Sequence, residues 1–239
     1  MQNPNGLSIG ASGDLSLALE NLRDAECDIL MFPETNLATD QHYVRSQVHH
    51  ECKMTFGHGR YKLALSHTPV PYSSSYKPGG VLSVAIGPTI GRLLSSGGDS
   101  MGRWTHMKFS GKGNRVVTLI CTYQVCKKPV SQCGPLTANV QQYSLLSQAQ
   151  RPEPQRVRQH HAKDLVAFVQ SCQGAGELVA VMGDFNDILG EDNSGLTKLC
   201  SECGLKDIMY QKHNISNRTF NSYSRGKSCI DYIDRKSVV

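Results

Sequence analysis

A run of five apolar residues that ends in a glycine and several polar side chains most constrains the fold. Leu178-Val179-Ala180-Val181-Met182 leads directly into Gly183-Asp184-Phe185-Asn186-Asp187. A short apolar run bounded by turn residues is typical of a buried strand, and glycine permits a sharp turn at its end. Because strand side chains alternate with a period of two, Asp184 and Asn186 are expected on the same side. Together they are suited to hold one phosphate or one hydrated metal ion, although an ordinary strand-to-loop turn uses the same residue types.

Three other segments place Asn, Asp or Glu at or beside a short apolar run. The segments are Asn3-Pro4-Asn5-Gly6-Leu7, then Asp28-Ile29-Leu30-Met31-Phe32-Pro33-Glu34-Thr35-Asn36, and Ser228-Cys229-Ile230-Asp231-Tyr232-Ile233. An acid at the end of an apolar strand, as at Glu34, has no packing purpose, because burying a charge without a partner is costly. We therefore expect the polar ends of these segments to converge on one point.

The order and chemistry of these segments resemble the endonuclease/exonuclease/phosphatase superfamily. The resemblance spans nearly the whole chain and is sharpest at Pro33-Glu34-Thr35, at Gly183 to Asp187 and at Ile230 to Ile233. Residues 102–127 also look like the endonuclease domains of retrotransposons, and the whole is similar to exonuclease III and the apurinic/apyrimidinic endonucleases. The resemblance implies an α+β fold, a four-layer αββα sandwich of two mixed β-sheets flanked by helices, as in DNase I.

Local patterns predict the individual elements. Helical spacing of apolar residues predicts helices at 15–26, 157–171 and 195–203, and apolar runs predict strands at 28–32, 61–66, 80–86, 104–109 and 115–123. Residues 40–60 are rich in histidine, and we predict a loop or an amphipathic helix there in preference to a metal site. Residues 131–155 are predicted to be a polar stretch that is helical around 141–146. The last strands are predicted at 218–221 and 228–234. Cys200 and Cys203 form a lone C-x-x-C pair, which we assign to packing.

The 239 residues contain no linker of Pro, Gly and Ser that would divide them, so a single domain over 1–239 is predicted. The resemblance adds an expectation about both ends. The family's first strand begins several residues before the asparagine that Asn3 matches, and its members end with a Ser-Asp-His segment that this sequence lacks. We therefore expect an abbreviated N-terminal strand and missing C-terminal strand or strands, which would also remove the family's terminal histidine.

The predicted metal site contains Glu34, with a solvated loop glutamate as the alternative. Carboxylate and carboxamide oxygens suit a hard divalent cation, and the resemblance implies Mg²⁺ or Mn²⁺. By the same resemblance, Asn5 lies near the metal, at a position where many members have Asp, and Asn3 supplies a further polar group.

The resemblance also implies catalytic roles for Asn3 and for four further residues. Asp184 would orient or deprotonate the attacking water, and Asn186 would hydrogen-bond the scissile phosphate. Tyr123, at the end of the strand 116–123, matches the tyrosine that contacts the phosphate, although an aromatic core residue is an equally good reading of it. Asp231 would support the site through hydrogen bonds. Trp104 and His106 lie on a predicted strand and are more simply structural.

Charge and composition set the expected partners. The net charge of +5 is compatible with the DNA phosphate backbone without requiring it, and basic clusters such as Arg151, Arg156, Arg158 and Lys163 are more often solvated faces than phosphate tracks. No apolar run approaches the length of a membrane span, and the nine cysteines read as reduced thiols. We predict an intracellular protein, with the nucleus as one candidate location, and a monomer in preference to an oligomer.

The leading hypothesis is a metal-dependent DNA endonuclease of the retroelement type. A phosphatase or phosphodiesterase that acts on lipid headgroups or small phosphates is the first alternative. The second is a catalytically inactive remnant that binds nucleic acid, because a missing histidine commonly lowers the rate by about a hundredfold to ten-thousandfold.

Overall fold

The computed structural model describes residues 1–10, 13–71, 73–192 and 194–208, and the backbone of 231–235. The helices of this part are α1 Asp14–Asp24, α2 His42–Phe56, α3 Ala138–Gln148, α4 Val157–Gly174 and α5 Gly195–Cys203. Its strands are β1 Ile29–Pro33, β2 Tyr61–Ser66, β3 Val81–Ile86, β4 Leu93–Gly98, β5 Trp104–Ser110, β6 Val116–Tyr123, β7 Leu178–Asp184, β8 Lys206–Asp207 and β9 Asp231–Arg235.

The strands form two sheets. The first has the order β1-β3-β2 and is antiparallel throughout. The second has the order β4-β5-β6-β7-β9-β8, and in it β6 and β7 are parallel while the other neighbours are antiparallel. Parallel neighbours need a long crossover, and α3 and α4 lie in the chain between β6 and β7. The carboxyl ends of β6 and β7 therefore meet at one edge of the second sheet.

Alternation along the strands builds the layers of the first sheet. Leu30 and Phe32 of β1 belong to a buried cluster with Leu15 of α1 and Val48 of α2. Met31, between them in sequence, belongs instead to a cluster with residues of β6, including Cys121 and Tyr123. One face of the first sheet thus packs on helices and the other on the second sheet, as period-two alternation requires.

The outer face of the second sheet is covered by α4 and α5. Ile120 of β6 and Val181 of β7 pack against Leu165 of α4 and Leu199 of α5. The order of layers is helices, sheet, sheet, helices, which confirms the predicted four-layer sandwich. A buried hydrogen bond of 2.7 Å between the hydroxyls of Ser83 and Thr105 also joins the two sheets.

A buried arginine anchors the start of β5. The guanidinium of Arg103 bonds the carboxylates of Asp99 at 2.8 Å and Asp164 at 2.9 Å and lies 4.7 Å from the centre of the Trp104 ring. Its carbonyl accepts hydrogen bonds from the Tyr123 N–H at 2.8 Å and the Thr122 hydroxyl at 3.1 Å. A buried charge is tolerated only when it is paired, so the Arg103 guanidinium stays with its two carboxylates. The Arg103 carbonyl is held in place with it and fixes the backbone at the end of β6.

Most predicted elements are present. Residues 42–56 form the helix α2, which is one of the two forms predicted there, and helix α3 is longer than the predicted 141–146. Strands β4 at 93–98 and β8 at 206–207 were not predicted. The predicted strand at 218–221 lies outside the described residues, and β9 falls within the predicted 228–234 apart from Arg235.

Cys203 is buried in the cluster under α5 and Cys200 packs against it, which agrees with the packing assignment. The eight cysteines within the described ranges are all free thiols. Over the same ranges, each helix is either too short or too polar to cross a bilayer.

Gly183 is required by the close pairing of β6 and β7. A Cβ atom at this position would lie 1.9 Å from the backbone oxygen of Thr122. We expect Gly183→Ala to lower the free energy of unfolding by about 3 kcal/mol, because backbone must move to relieve the overlap. Urea unfolding followed by circular dichroism measures the change.

The matched control is Gly174→Ala at the end of α4, where a Cβ would meet no atom within 4 Å. Alanine is the better helix former by about 1 kcal/mol, so the control is expected to be as stable as the parent protein or slightly more so. Equal stability of the two variants would contradict the role assigned to Gly183.

Candidate active site

Tyr123 and Asp184 lie side by side at the edge where β6 and β7 end. They are register partners of the parallel pair, and the Gln124 N–H donates to the Asp184 carbonyl at 2.8 Å. The ring of Tyr123 packs between the sheets, and its hydroxyl donates to Oε1 of Glu34 at 3.0 Å. Glu34 directly follows β1 of the other sheet, so this bond joins the two sheets at the edge that carries the polar side chains.

The carboxylate of Asp184 is buried and fixed by N–H donors. Its side chain accepts from Asn3 Nδ2 at 2.9 Å, from the Asn186 backbone N–H at 2.9 Å and from Asn186 Nδ2 at 3.1 Å. Asp184 is only 2% exposed. An ionised carboxylate has acceptor sites only, and three donors hold it in one orientation. The side chains of Asp184 and Asn186 therefore come together, as their spacing predicted. In the free protein, however, they form a hydrogen bond with each other.

The amide nitrogen of Asn186 has two hydrogen-bond partners inside the protein. Besides Asp184, its Nδ2 donates to the backbone carbonyl of Gln124 at 2.8 Å. A carboxamide nitrogen carries two hydrogens, so both have protein partners in this arrangement. The predicted contact from Asn186 to the scissile phosphate would need one of these bonds to be exchanged.

The N-terminal segment runs beside the end of β1. Gln2 N–H donates to the Met31 carbonyl at 3.0 Å, and Gly6 N–H to the Glu34 carbonyl at 2.9 Å. These bonds bring Asn3 to Asp184, and the Oδ1 of Asn3 accepts the Asn5 N–H at 3.0 Å. Asn5 itself is exposed. The structure thus brings together Asn3, Glu34, Tyr123, Asp184 and Asn186, with Asn5 at the rim.

Tyr123 is a neutral hydrogen-bond donor in this setting. Burial raises the pKa of its hydroxyl well above the usual range, and the neighbouring carboxylates of Glu34 and Asp184 raise it further. A phenolate next to two carboxylates is unfavourable, so the O–H persists at neutral and mildly alkaline pH.

Several site residues have a strained backbone. Of the eight non-glycine residues with positive φ in the described ranges, four are Asn5 (48°), Glu34 (53°), Asn36 (54°) and Asn186 (45°). Such conformations persist only where their surroundings impose them, and they concentrate at functional sites. The loop after Glu34 is held by Gly79, whose N–H donates to Asn36 Oδ1 at 2.7 Å.

Sequence reasoning missed Arg158, which was grouped with basic residues of a solvated face. Its guanidinium contacts the Asn186 carbonyl at 3.1 Å, the carboxylate of Asp187 at 3.2 Å and the carbonyl of Val125. Asp187 is buried, and its Oδ2 also accepts the Gly195 N–H at 2.8 Å. Asp187 was visible as the last residue of the motif, whereas Arg158 comes from a distant helix and gave no local signal.

Trp104 and His106 have structural surroundings. The Trp104 ring stacks on the rings of His161 and Phe168, with centroids 5.9 Å and 6.0 Å away, and His106 lies 5.0 Å from Phe168. These contacts are with α4 on the outer face of the second sheet. The structural interpretation of both residues therefore stands.

The oxygen ligands at this site are suited to a hard cation that is bound through few protein contacts. Glu34 offers a carboxylate, and the surrounding groups are the Asp184 carboxylate, carboxamide oxygens and the Tyr123 hydroxyl. Within the described ranges, no group of three or more His, Cys, Asp or Glu residues is placed to enclose a metal ion. Mg²⁺ is commonly held by one or two carboxylates and otherwise by water and substrate oxygens, so these residues are compatible with it. Asp231 is the register partner of Asp184 in β9, and its side chain lies outside the described part.

Comparisons with solved structures show the same fold. The catalytic domain of Xenopus laevis APE2 has a TM-score of 0.60 at 16% identity, covering 98% of this chain and 80% of that domain. The human Nocturnin catalytic domain has a TM-score of 0.60 at 16% identity, covering 93% and 75%. The 3′ phosphatase NExo from Neisseria, solved with a product DNA hairpin, has a TM-score of 0.57 at 15% identity, covering 93% and 82%.

Two comparisons at the level of sequence gave different results. No curated protein matches the chain significantly. The model of the Endonuclease/Exonuclease/phosphatase family matches residues 10–233, which is most of the sequence and includes Glu34, Tyr123, Asp184 and Asn186. The chain therefore belongs to the Endonuclease/Exonuclease/phosphatase family, whose members are hydrolases that act on phosphodiester bonds.

Proposed function

We propose that this protein is a divalent-metal-dependent DNA endonuclease of the type that nicks target DNA for retroelement insertion. The observation that carries the proposal is the convergence of Asn3, Glu34, Tyr123, Asp184 and Asn186 at one edge of the sandwich. The net charge of +5 and the resemblance of residues 102–127 to retrotransposon endonucleases favour DNA over a small phosphate.

Asp184 is the proposed base for the attacking water. A fixed carboxylate can orient a water molecule and accept its proton, which commonly contributes about a hundredfold or more to the rate. Asn3 and Asn186 keep the carboxylate in one orientation, so they are positioning residues in the free protein. This positioning lowers the cost of reaching the reactive geometry.

Tyr123 is the proposed contact to the phosphate. It has a single O–H, which donates to Glu34 in the free protein. Turning this O–H to a phosphate oxygen would release Oε1 of Glu34 to a cation. Mg²⁺ or Mn²⁺ held by Glu34, with Asn5 at the rim, would neutralise charge on the phosphate and stabilise the leaving oxygen.

The first test is nicking of supercoiled plasmid DNA with Mg²⁺ and with EDTA. Asp184→Asn keeps the shape of the side chain and removes its basicity, so we expect the nicking rate to fall by about a hundredfold or more. Asp24→Asn makes the same change at the exposed end of α1 and is expected to leave the rate unchanged. Equal nicking by the parent protein, by Asp184→Asn and in EDTA would reject the proposal.

Headgroup or small-phosphate release with intact DNA would instead assign the protein to the phosphatase alternative. Absence of any Mg²⁺-dependent turnover above the Asp184→Asn background would support the inactive remnant. A reverse transcriptase encoded downstream at the same locus would establish the retroelement role.

The second test concerns Glu34 as the metal ligand. Glu34→Gln removes the charge that attracts the cation, so the Mg²⁺ concentration for half-maximal nicking should rise by roughly tenfold or more. Isothermal titration with Mg²⁺ gives the same comparison without turnover. Glu20→Gln on the exposed face of α1 is the matched control and should bind Mg²⁺ as the parent protein does. Unchanged Mg²⁺ affinity in Glu34→Gln would remove Glu34 from the metal site.

A further inference from the structure

A small cavity lies behind the catalytic edge, between the first turns of α4 and α5. Its volume is 240 Å³, and its polar lining comes mainly from Gln124, Arg158, Ser194 and Lys198. It adjoins the catalytic motif, because the Gln124 carbonyl accepts from Asn186 and the Arg158 guanidinium contacts the Asn186 carbonyl. None of the functional roles assigned above uses this cavity.

The cavity contains a buried donor that the protein does not satisfy. Gln124 is 2% exposed, and its Nε2 has no hydrogen-bond partner in the described part of the structure. This nitrogen is close to α5, since a Cβ built on Gly195 would lie 3.2 Å from it. An unsatisfied buried N–H group costs about 1–3 kcal/mol, so a water, an ion or a ligand that accepts its hydrogen bond is stabilised there.

The charge of the cavity is positive. Its described lining includes Arg158 and Lys198 and no carboxylate. Asp187 pairs with Arg158 at 3.2 Å, but its carboxylate is shared with the N–H groups of Gly195 at 2.8 Å and Leu196 at 3.4 Å and with Lys127 at 3.3 Å. Burial lowers the pKa of Arg158, although Asp187 acts in the opposite direction. Lys198 is half exposed and lies 3.7 Å from Glu202.

The first turn of α5 adds to this field. Ser194 is the N-cap and its Oγ accepts the Thr197 N–H at 3.2 Å, which leaves the hydroxyl hydrogen to point elsewhere. The N-terminal end of a helix carries a partial positive charge that favours an anion. An amide donor, a guanidinium, an ammonium and a hydroxyl thus surround one small space, and a ligand rich in acceptor oxygens matches all four.

We propose that this cavity binds a phosphoryl group distinct from the one that is hydrolysed. The group has two possible sources, inorganic phosphate or a phosphate of the nucleic-acid strand whose neighbouring phosphodiester lies at Asp184. The second source rests on the proposed function, whereas the first does not. An occupied cavity would satisfy Gln124 Nε2 and place the anion beside Arg158 and Lys198.

The test is a titration of the ¹⁵N-labelled full chain with inorganic phosphate in EDTA, followed by NMR. We expect saturable shifts of the Gln124 side-chain amide and the Gly195 backbone amide. Lys198→Gln should weaken phosphate binding by about fivefold to tenfold, as loss of one charge-assisted contact does. Lys163→Gln removes the same charge from an exposed position of α4 outside the cavity and should not change the affinity.

Gln124→Glu gives a second, independent variant. It preserves side-chain shape and replaces the unsatisfied donor by a carboxylate, so phosphate binding in the cavity should be lost. Retention of the parent affinity in both Lys198→Gln and Gln124→Glu would overturn the proposal, as would an equal loss in Lys163→Gln or an absence of saturable shifts at Gln124 and Gly195.

A short single-stranded oligonucleotide without terminal phosphates distinguishes the sources. If it shifts the same two resonances and displaces inorganic phosphate, the strand is the source, and if it does neither, the free anion is. No turnover is measured, so failure of the endonuclease proposal leaves the phosphate titration interpretable. A negative titration likewise leaves the proposed chemistry at Asp184 standing.

Discussion

The hydrogen bond from Tyr123 to Glu34 is the interaction on which the candidate site depends. Tyr123 ends β6 of the second sheet and Glu34 follows β1 of the first, and their side chains are 3.0 Å apart. Two packed sheets can slide or twist relative to each other without losing much apolar burial, because hydrophobic packing is not directional. A partly buried hydrogen bond has strict geometry, so this one helps to fix the edges of the two sheets against each other.

This alignment of the two sheets allows the protein to keep the carboxylates of Glu34 and Asp184 close together in a mostly buried site. Glu34 and Asp184 both raise the pKa of Tyr123, so the two carboxylates act on the same hydroxyl. The cost of bringing them there is offset by donors that come from well-anchored backbone, including the N–H of Asn186. The left-handed residues Glu34 and Asn186 add strain of about 1 kcal/mol or more each. The packed clusters between and outside the sheets supply the stability against which such costs are set.

Sequence patterns predicted the elements whose residues are sorted by burial. β1 and β7 are apolar runs with a polar end, and both were located from the sequence together with Glu34 and Asp184. β4 was missed because Leu93-Leu94-Ser95-Ser96-Gly97-Gly98 has no alternation and little β propensity; it exists as an edge strand paired with β5. In α2, the buried residues Val44, Val48 and Cys52 have helical spacing, but histidines at intervening positions obscured it.

The contacts of the site were harder to predict than its members. Motif order implied that Asn3, Glu34, Tyr123, Asp184 and Asn186 would converge, and they do so. Nothing in the order of motifs could show that the Asn186 amide would be shared between Asp184 and the Gln124 carbonyl. The role of Arg158 could not be predicted either, since its partners Val125, Asn186 and Asp187 come from two other segments of the chain. Tertiary contacts of this kind depend on sheet register, which local periodicity does not define.

The occupied amide of Asn186 has a consequence for how a phosphate can be held. If Asn186 keeps both of its bonds, the Tyr123 hydroxyl, after it turns from Glu34, is one donor in the described part of the chain that remains for a phosphate oxygen near Asp184. Release of Glu34 Oε1 by Tyr123 and arrival of a cation at Glu34 are then favourable together, because the cation replaces the hydrogen bond that the carboxylate gives up. The Tyr123–Glu34 hydrogen bond thus aligns the two sheets in the free protein. Binding of substrate and cation would replace this same bond.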